Sequence, residues 1–127
     1  RQGSREVWRK AAGQGFAGGQ YSLGVTFERG EGVPKDFKEA VKWYRKAAEQ
    51  GFAMAQHNLG VMYTNGQGVM EDDVTAYAWY NIAAANGVAS AKQWKGIIAK
   101  EMTANQIAEG QKLSREMIKK NPKLLKK

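Results

Sequence analysis

The chain repeats itself at a spacing of 36 residues, and that period constrains the fold more than any other property of the sequence. With Val7–Asp36 laid over Trp43–Asp72, 16 of 30 positions are identical. Arg9, Lys10, Ala11, Ala12, Gln14, Gly15, Phe16 and Ala17 return as Arg45, Lys46, Ala47, Ala48, Gln50, Gly51, Phe52 and Ala53. Gln20, Leu23, Gly24, Val25, Gly30, Gly32, Val33 and Asp36 return in the same way as Gln56, Leu59, Gly60, Val61, Gly66, Gly68, Val69 and Asp72. A third, degraded copy keeps Ala76, Trp79, Tyr80, Ala83, Ala84, Gly87, Ala89, Ala91 and Gly96 in register. Self-similarity at a fixed period of about 20–50 residues marks stacked supersecondary units that bury their faces against one another.

One unit reads as a helical hairpin. Asp36 with Glu39 has the D-x-x-E form of a capping box. Phe37, Ala40, Val41, Tyr44, Ala47 and Ala48 then recur every three or four residues, forming one apolar helix face. Gly51 stands where that helix ends. A second helix carries Ala55, Leu59, Val61, Met62 and Tyr63, and Asn65-Gly66-Gln67-Gly68 breaks it before the next capping residue, Asp72. Glycine inside a helix costs about 1 kcal/mol relative to alanine. Gly24, Gly60 and Gly96 at one phase therefore predict a helix crossing too tight for a side chain. Tyr44, Tyr63, Tyr80, Phe16 and Phe52 are expected to fill the space between hairpins.

The pattern Ala40, Tyr44, Ala47, Ala48, Gly51, Ala55, Leu59, Gly60, Tyr63, Gly66, Gly68, Val69, Asp72 resembles the Sel-one-like repeat, a relative of the tetratricopeptide repeat. The resemblance covers about residues 5–102. It implies an all-α, right-handed solenoid of antiparallel helical hairpins in about three repeats (about 1–36, 37–72 and 73–102), followed by a C-terminal capping helix and basic tail over 103–127. It also implies a concave face that holds proteins or peptides, in adaptor roles. Met102–Glu109 resembles the closing helix of bacterial members, which favours a bacterial periplasmic or secreted setting over the cytoplasm. A related branch linked to β-lactam binding or hydrolysis carries a cysteine pair per repeat. This chain has no cysteine, so that analogy does not reach it.

The ends of the array read differently from its middle. In the third copy Val74, Tyr77, Ala78, Asn81 and Ile82 replace Lys38, Val41, Lys42, Arg45 and Lys46 of the second, and Lys95 replaces Leu59. A helix that has lost its charges is expected to be covered, most simply by the C-terminal helix. Thr103 with Gln106 opens that helix as a T-x-x-Q capping box. Ile107, Gly110, Ser114, Met117 and Ile118, with Leu113 beside them, form its semi-apolar stripe. Asn121-Pro122 should stop it and leave Lys123–Lys127 frayed. At the leading end, Trp8 and the face around Ala11 and Ala12 stand open. This end calls for further repeats before Arg1 or, alternatively, for self-association.

These features point to a non-catalytic scaffold. The first helices line the inner face, so Lys38, Lys42, Arg45 and Glu49, with Arg5, Arg9 and Asn81 at equivalent phases, are the candidate partner contacts. They suit an acidic protein or peptide, or a C-terminal carboxylate. The net charge of +8 is concentrated at one end: residues 1–91 carry 10 Lys/Arg against 9 Asp/Glu, and residues 92–127 carry 10 against 3. An alternative function is therefore contact of the basic C-terminus with an anionic membrane or nucleic acid. Against it, no aromatic residue stands among the tail lysines to stack on bases or anchor in an interface. Catalysis, a metal and a cofactor are not expected. His57 is the one histidine, Glu71-Asp72-Asp73 is explained as a helix start, and no Gly-Lys-Ser/Thr follows the glycine loops.

Overall fold

The computed structural model describes residues 15–126. Trp8, Ala11 and Ala12, and with them the open leading face, lie outside the described residues, as do Arg5 and Arg9. Within that span are six α-helices: α1 (Ala17–Arg29), α2 (Phe37–Glu49), α3 (Ala53–Asn65), α4 (Asp73–Ala85), α5 (Ala89–Ala99) and α6 (Ala104–Lys120). A short 3₁₀ turn, Pro122–Leu124, follows α6. The helices form an all-α solenoid in which α2 pairs with α3 and α4 with α5, while α2 also packs on α1 and α4 on α3.

The loops repeat as closely as the helices. Gly30 ends α1 in the left-handed conformation at φ 69°, and Gly66 ends α3 at φ 66°. Asp36 and Asp72 then cap α2 and α4, each accepting a backbone N–H three residues on. The expected box at Asp36 is only half formed. The Asp36 N–H donates to the Phe27 carbonyl at the end of α1, so it is not available to Glu39. Glu39 instead pairs with Lys42 at 3.6 Å. Asp72 repeats the arrangement, its N–H donating to Tyr63. Thr103 and Gln106 do form the full reciprocal box at the start of α6.

Packing between units rests on a tyrosine ring set against a glycine. Tyr44 and Tyr80 are both fully buried. A Cβ on Gly24 would stand 2.6 Å from the Tyr44 ring, and one on Gly60 would stand 2.5 Å from the Tyr80 ring. The tight crossing is thus a seat for the next unit's tyrosine. Gly96 holds the same phase but has nothing within 4 Å of a Cβ, because no following first helix covers α5. The phenol oxygens are anchored as well. Tyr44 donates to Glu28 Oε1 at 2.5 Å, and Tyr80 shares a 3.0 Å hydrogen bond with Thr64. Burial, reinforced by the Glu28 carboxylate, pushes the Tyr44 phenol above its ordinary pKa and keeps it a donor. Of the other expected aromatics, Phe52 stacks on Tyr21 at 5.0 Å and Tyr63 is half-buried. Phe16, the N-cap residue of α1, is instead 61% exposed.

His57 lies in the same layer, buried against Tyr80 with ring centroids 5.6 Å apart. Its Nδ1 finds no hydrogen-bond partner among the described residues, and burial lowers its pKa from the ordinary 6.5.

Two outcomes follow from this packing. Gly60→Ala should destabilise the fold by about 1–3 kcal/mol through overpacking. Gly96→Ala, with the same helical phase and open space, should be neutral or stabilising by up to about 1 kcal/mol. Equal shifts in denaturant midpoint would contradict the tyrosine seat. Because folding depresses the His57 pKa, its stabilising contribution is present above about pH 6.5 and falls as acid protonates the unfolded chain first. The loss of melting temperature between about pH 7.5 and 5 should therefore be smaller in His57→Gln than in the parent, and an identical loss would remove His57 from the account.

Candidate partner-binding surface

The exposed side of α2 carries Lys38, Lys42 and Glu49, with Arg45 half-buried beside them. These residues share one stripe because their spacing of three and four places them on one helix face. Arg45 is tied into its own hairpin: Nη2 donates to the Tyr63 hydroxyl at 2.9 Å, and its guanidinium stands 6.0 Å from that ring. Lys42 lies 5.3 Å from the Trp43 ring, and Lys46 reaches the same ring at 5.1 Å.

On α4 the equivalent positions are Val74, Ala78, Asn81 and Ala85, and here the chain covers its own surface. Helix α6 crosses α4 with Gly110 against the Tyr77 ring, where a Cβ would come within 2.7 Å. Ser114, 1% exposed, accepts a 2.9 Å hydrogen bond from Asn81 Nδ2 and donates to the Gln111 carbonyl. Lys95, which stands in for Leu59, donates to Asn81 Oδ1 at 3.0 Å and lies 5.9 Å from the Tyr77 ring. Asn81 thus joins α4, α5 and α6, whereas Lys38, Lys42 and Glu49 remain exposed. Of the seven expected contact residues, the structure brings Lys38, Lys42, Arg45 and Glu49 onto one surface and places Asn81 under α6.

Helix α6 lies on α4, the first helix of the last hairpin, as its semi-apolar stripe predicts, and leaves the outer side of α5 uncovered. The face of α3 that receives α4 offers Gln56, His57, Gly60 and Thr64, and all four meet Tyr80 or Asn86. The same phases on α5 hold Lys92, Gln93, Gly96 and Lys100, all exposed. Trp94 and Ile97 of the same helix are also exposed, Ile97 standing where Val61 packs against the following unit.

The tail departs from the expectation of fraying. Asn121 caps the 3₁₀ turn through its side chain and donates Nδ2 to the Glu49 carbonyl at 2.8 Å. Leu124 is 3% exposed and joins the core cluster that contains Val41, Ala47, Ala48 and Ile82. Its carbonyl accepts from Gln56 Nε2 at 2.9 Å and from Asn86 Nδ2 at 2.8 Å. The Lys126 N–H donates to Asn86 Oδ1 at 2.8 Å. The lysines of the tail read as solvated, but the leucine between them is an anchor. Sequence reasoning passed over Gln56 and Asn86, although the amide at their phases was visible in Gln20 and in Gln14 and Gln50.

Among the described residues no helix is long and apolar enough to cross a membrane. Among the same residues, no three His, Cys, Asp or Glu side chains gather where they could hold a metal ion.

A family model described as Sel1 repeat matches residues 17–52 and 53–88. The crystal structure of c5321, a protective antigen present in uropathogenic Escherichia coli strains displaying an SLR fold, is similar with a TM-score of 0.88 and 39% identity. That similarity covers 94% of this chain and 26% of the E. coli chain, so the chain spans about a quarter of its relative's length. A Sel1 repeat protein from Oxalobacter formigenes is similar with a TM-score of 0.69 and 42% identity over 70% of this chain and 67% of that one. No curated protein matches the chain. Sel1 repeats generally mediate protein–protein interactions as non-catalytic scaffolds. On the paired repeat matches and the shared solenoid, the chain belongs to the Sel1 repeat family.

Proposed function

We propose that this chain is a non-catalytic scaffold that holds an acidic protein segment along the stripe Lys38, Lys42, Arg45 and Glu49 of α2. The observation that carries the reading is the neighbouring layer. The corresponding face of α4 already holds a helix, α6, through Tyr77 and Asn81. A face built to take a helix on α4 recurs on α2 with exposed charges in place of the apolar residues. Lysines at Lys38 and Lys42 favour carboxylates there, and Arg45, held by Tyr63, presents its guanidinium from a fixed position. A chemical step has no support at this surface, which offers no nucleophile paired with a base.

Reversal of Lys38 and Lys42 to glutamate tests the stripe. Both side chains are exposed, and the Lys42–Glu39 pair that is lost is of the surface kind, worth little to stability. The melting temperature should stay within a degree or two of the parent, while an acidic partner captured at moderate salt should bind about tenfold or more weakly, roughly 1.4 kcal/mol. Equal capture by parent and reversed chain would move the site off α2.

A further inference from the structure

The tail contacts describe a binding site that the scaffold reading does not use. We infer that Gln56, Asn86 and the apolar niche around Leu124 form a binding site for a leucine-bearing peptide segment supplied by a partner, one that leaves a short turn in extended form, and that the chain's own residues 121–126 occupy it in cis.

Three features mark it as a built site. The first is that Asn86 reads peptide backbone from both sides of its amide. Nδ2 donates to the carbonyl of Leu124 and Oδ1 accepts the N–H of Lys126, each at 2.8 Å. This i and i+2 pattern is how an extended strand presents its groups, and it gives affinity that is independent of side-chain identity.

The second feature is complete use of a buried amide. Gln56 is fully buried; Nε2 donates to the Ala48 and Leu124 carbonyls at 3.1 and 2.9 Å, and Oε1 accepts from Asn86 at 2.8 Å. Vacating the tail would take one partner each from Gln56 Nε2, Asn86 Nδ2 and Asn86 Oδ1, which favours refilling by another backbone. The third feature is specificity. Leu124 is the fully inserted side chain of the segment, Leu125 is half-buried beside it, and Pro122, Lys123 and Lys126 are exposed. The backbone also passes so close to Gly51 that a Cβ there would meet the Lys123 carbonyl. The amide pair recurs one unit earlier, where Gln50 Nε2 donates to Gln20 Oε1 at 2.7 Å.

The occupant is specified by what already sits there: a short turn ending in a buried leucine whose carbonyl is presented to Gln56 and Asn86, then one extended residue, Leu125, and a free N–H on the residue after it. The inference does not depend on the reading of α2.

A labelled peptide of residues 119–127 tests it by fluorescence anisotropy against the full chain. The cis tail competes at an effective concentration of about a millimolar or more. The unsubstituted chain should therefore bind the peptide at least tenfold more weakly than a Leu124→Ser chain whose tail is released. Adding Asn86→Ala to Leu124→Ser should lose at least tenfold again, as should replacing the peptide's leucine by serine or scrambling the peptide at constant charge. Should Leu124→Ser lower the helical circular dichroism, Lys126→Pro removes one tail bond and serves as the release variant. Folded release variants that bind the peptide no better than the parent, or that bind the scrambled peptide equally well, would overturn the inference.

Discussion

The rest of the structure depends on a phenol ring seated on a backbone. Tyr44 lies against Gly24 and Tyr80 against Gly60, each fully buried with its hydroxyl satisfied by the preceding helix. A seat without a side chain lets the first helix of one unit approach the second helix of the unit before it. That approach brings the capping aspartates to the ends of those same helices, where the Asp36 and Asp72 N–H groups close on Phe27 and Tyr63. The loop, the cap and the interface are thus fixed together, which is why they recur together in the sequence. A hairpin alone would leave the tyrosine and the glycine face open to water, so the unit is stable only when stacked.

How the stack ends follows from substitutions at the same phases. The outer face of α5 exchanges Gln56, His57 and Thr64 for Lys92, Gln93 and Lys100 while keeping Ile97 exposed at the phase of Val61. The stripe on α4 exchanges the charges of Lys38 and Lys42 for Val74 and Ala78, beside Tyr77 in place of Val41, which favours covering it sideways. Helix α6 answers the second change and not the first. Its Gly110 repeats the logic of the repeat interface in a new direction, receiving the Tyr77 ring. The chain uses one device, glycine beneath tyrosine, both to extend the array and to close its flank.

Much of this was legible before the structure. The period placed the hairpins and the left-handed glycines, and the loss of charge along α4 foretold that it would be covered. What escaped notice shares a physical cause. Gly96 has the same letter and phase as Gly24 and Gly60, but whether a glycine is a seat depends on a helix that arrives from elsewhere. The half-formed box at Asp36 failed because a tertiary acceptor, the Phe27 carbonyl, took the N–H that a local rule assigned to Glu39. The tail was read by composition, in which Asn-Pro and three lysines outweigh two leucines. Its order comes from Gln56 and Asn86, distant by 68 and 38 residues from the carbonyl they hold. Local pattern finds elements and their caps; it does not find a segment whose partners lie in other units.

The account stands on the C-terminal segment being part of the folded array. Hydrogen exchange at the Lys126 amide measures this most directly, because that N–H lies beyond the last helix and its partner is Asn86 Oδ1. If the segment is docked, the amide exchanges orders of magnitude more slowly than an unstructured one, and it loses that protection in Asn86→Ala while the amides of α3 keep theirs. Exchange at the unprotected rate in the parent chain would mean that the tail is free and that α6 alone closes the flank of the solenoid.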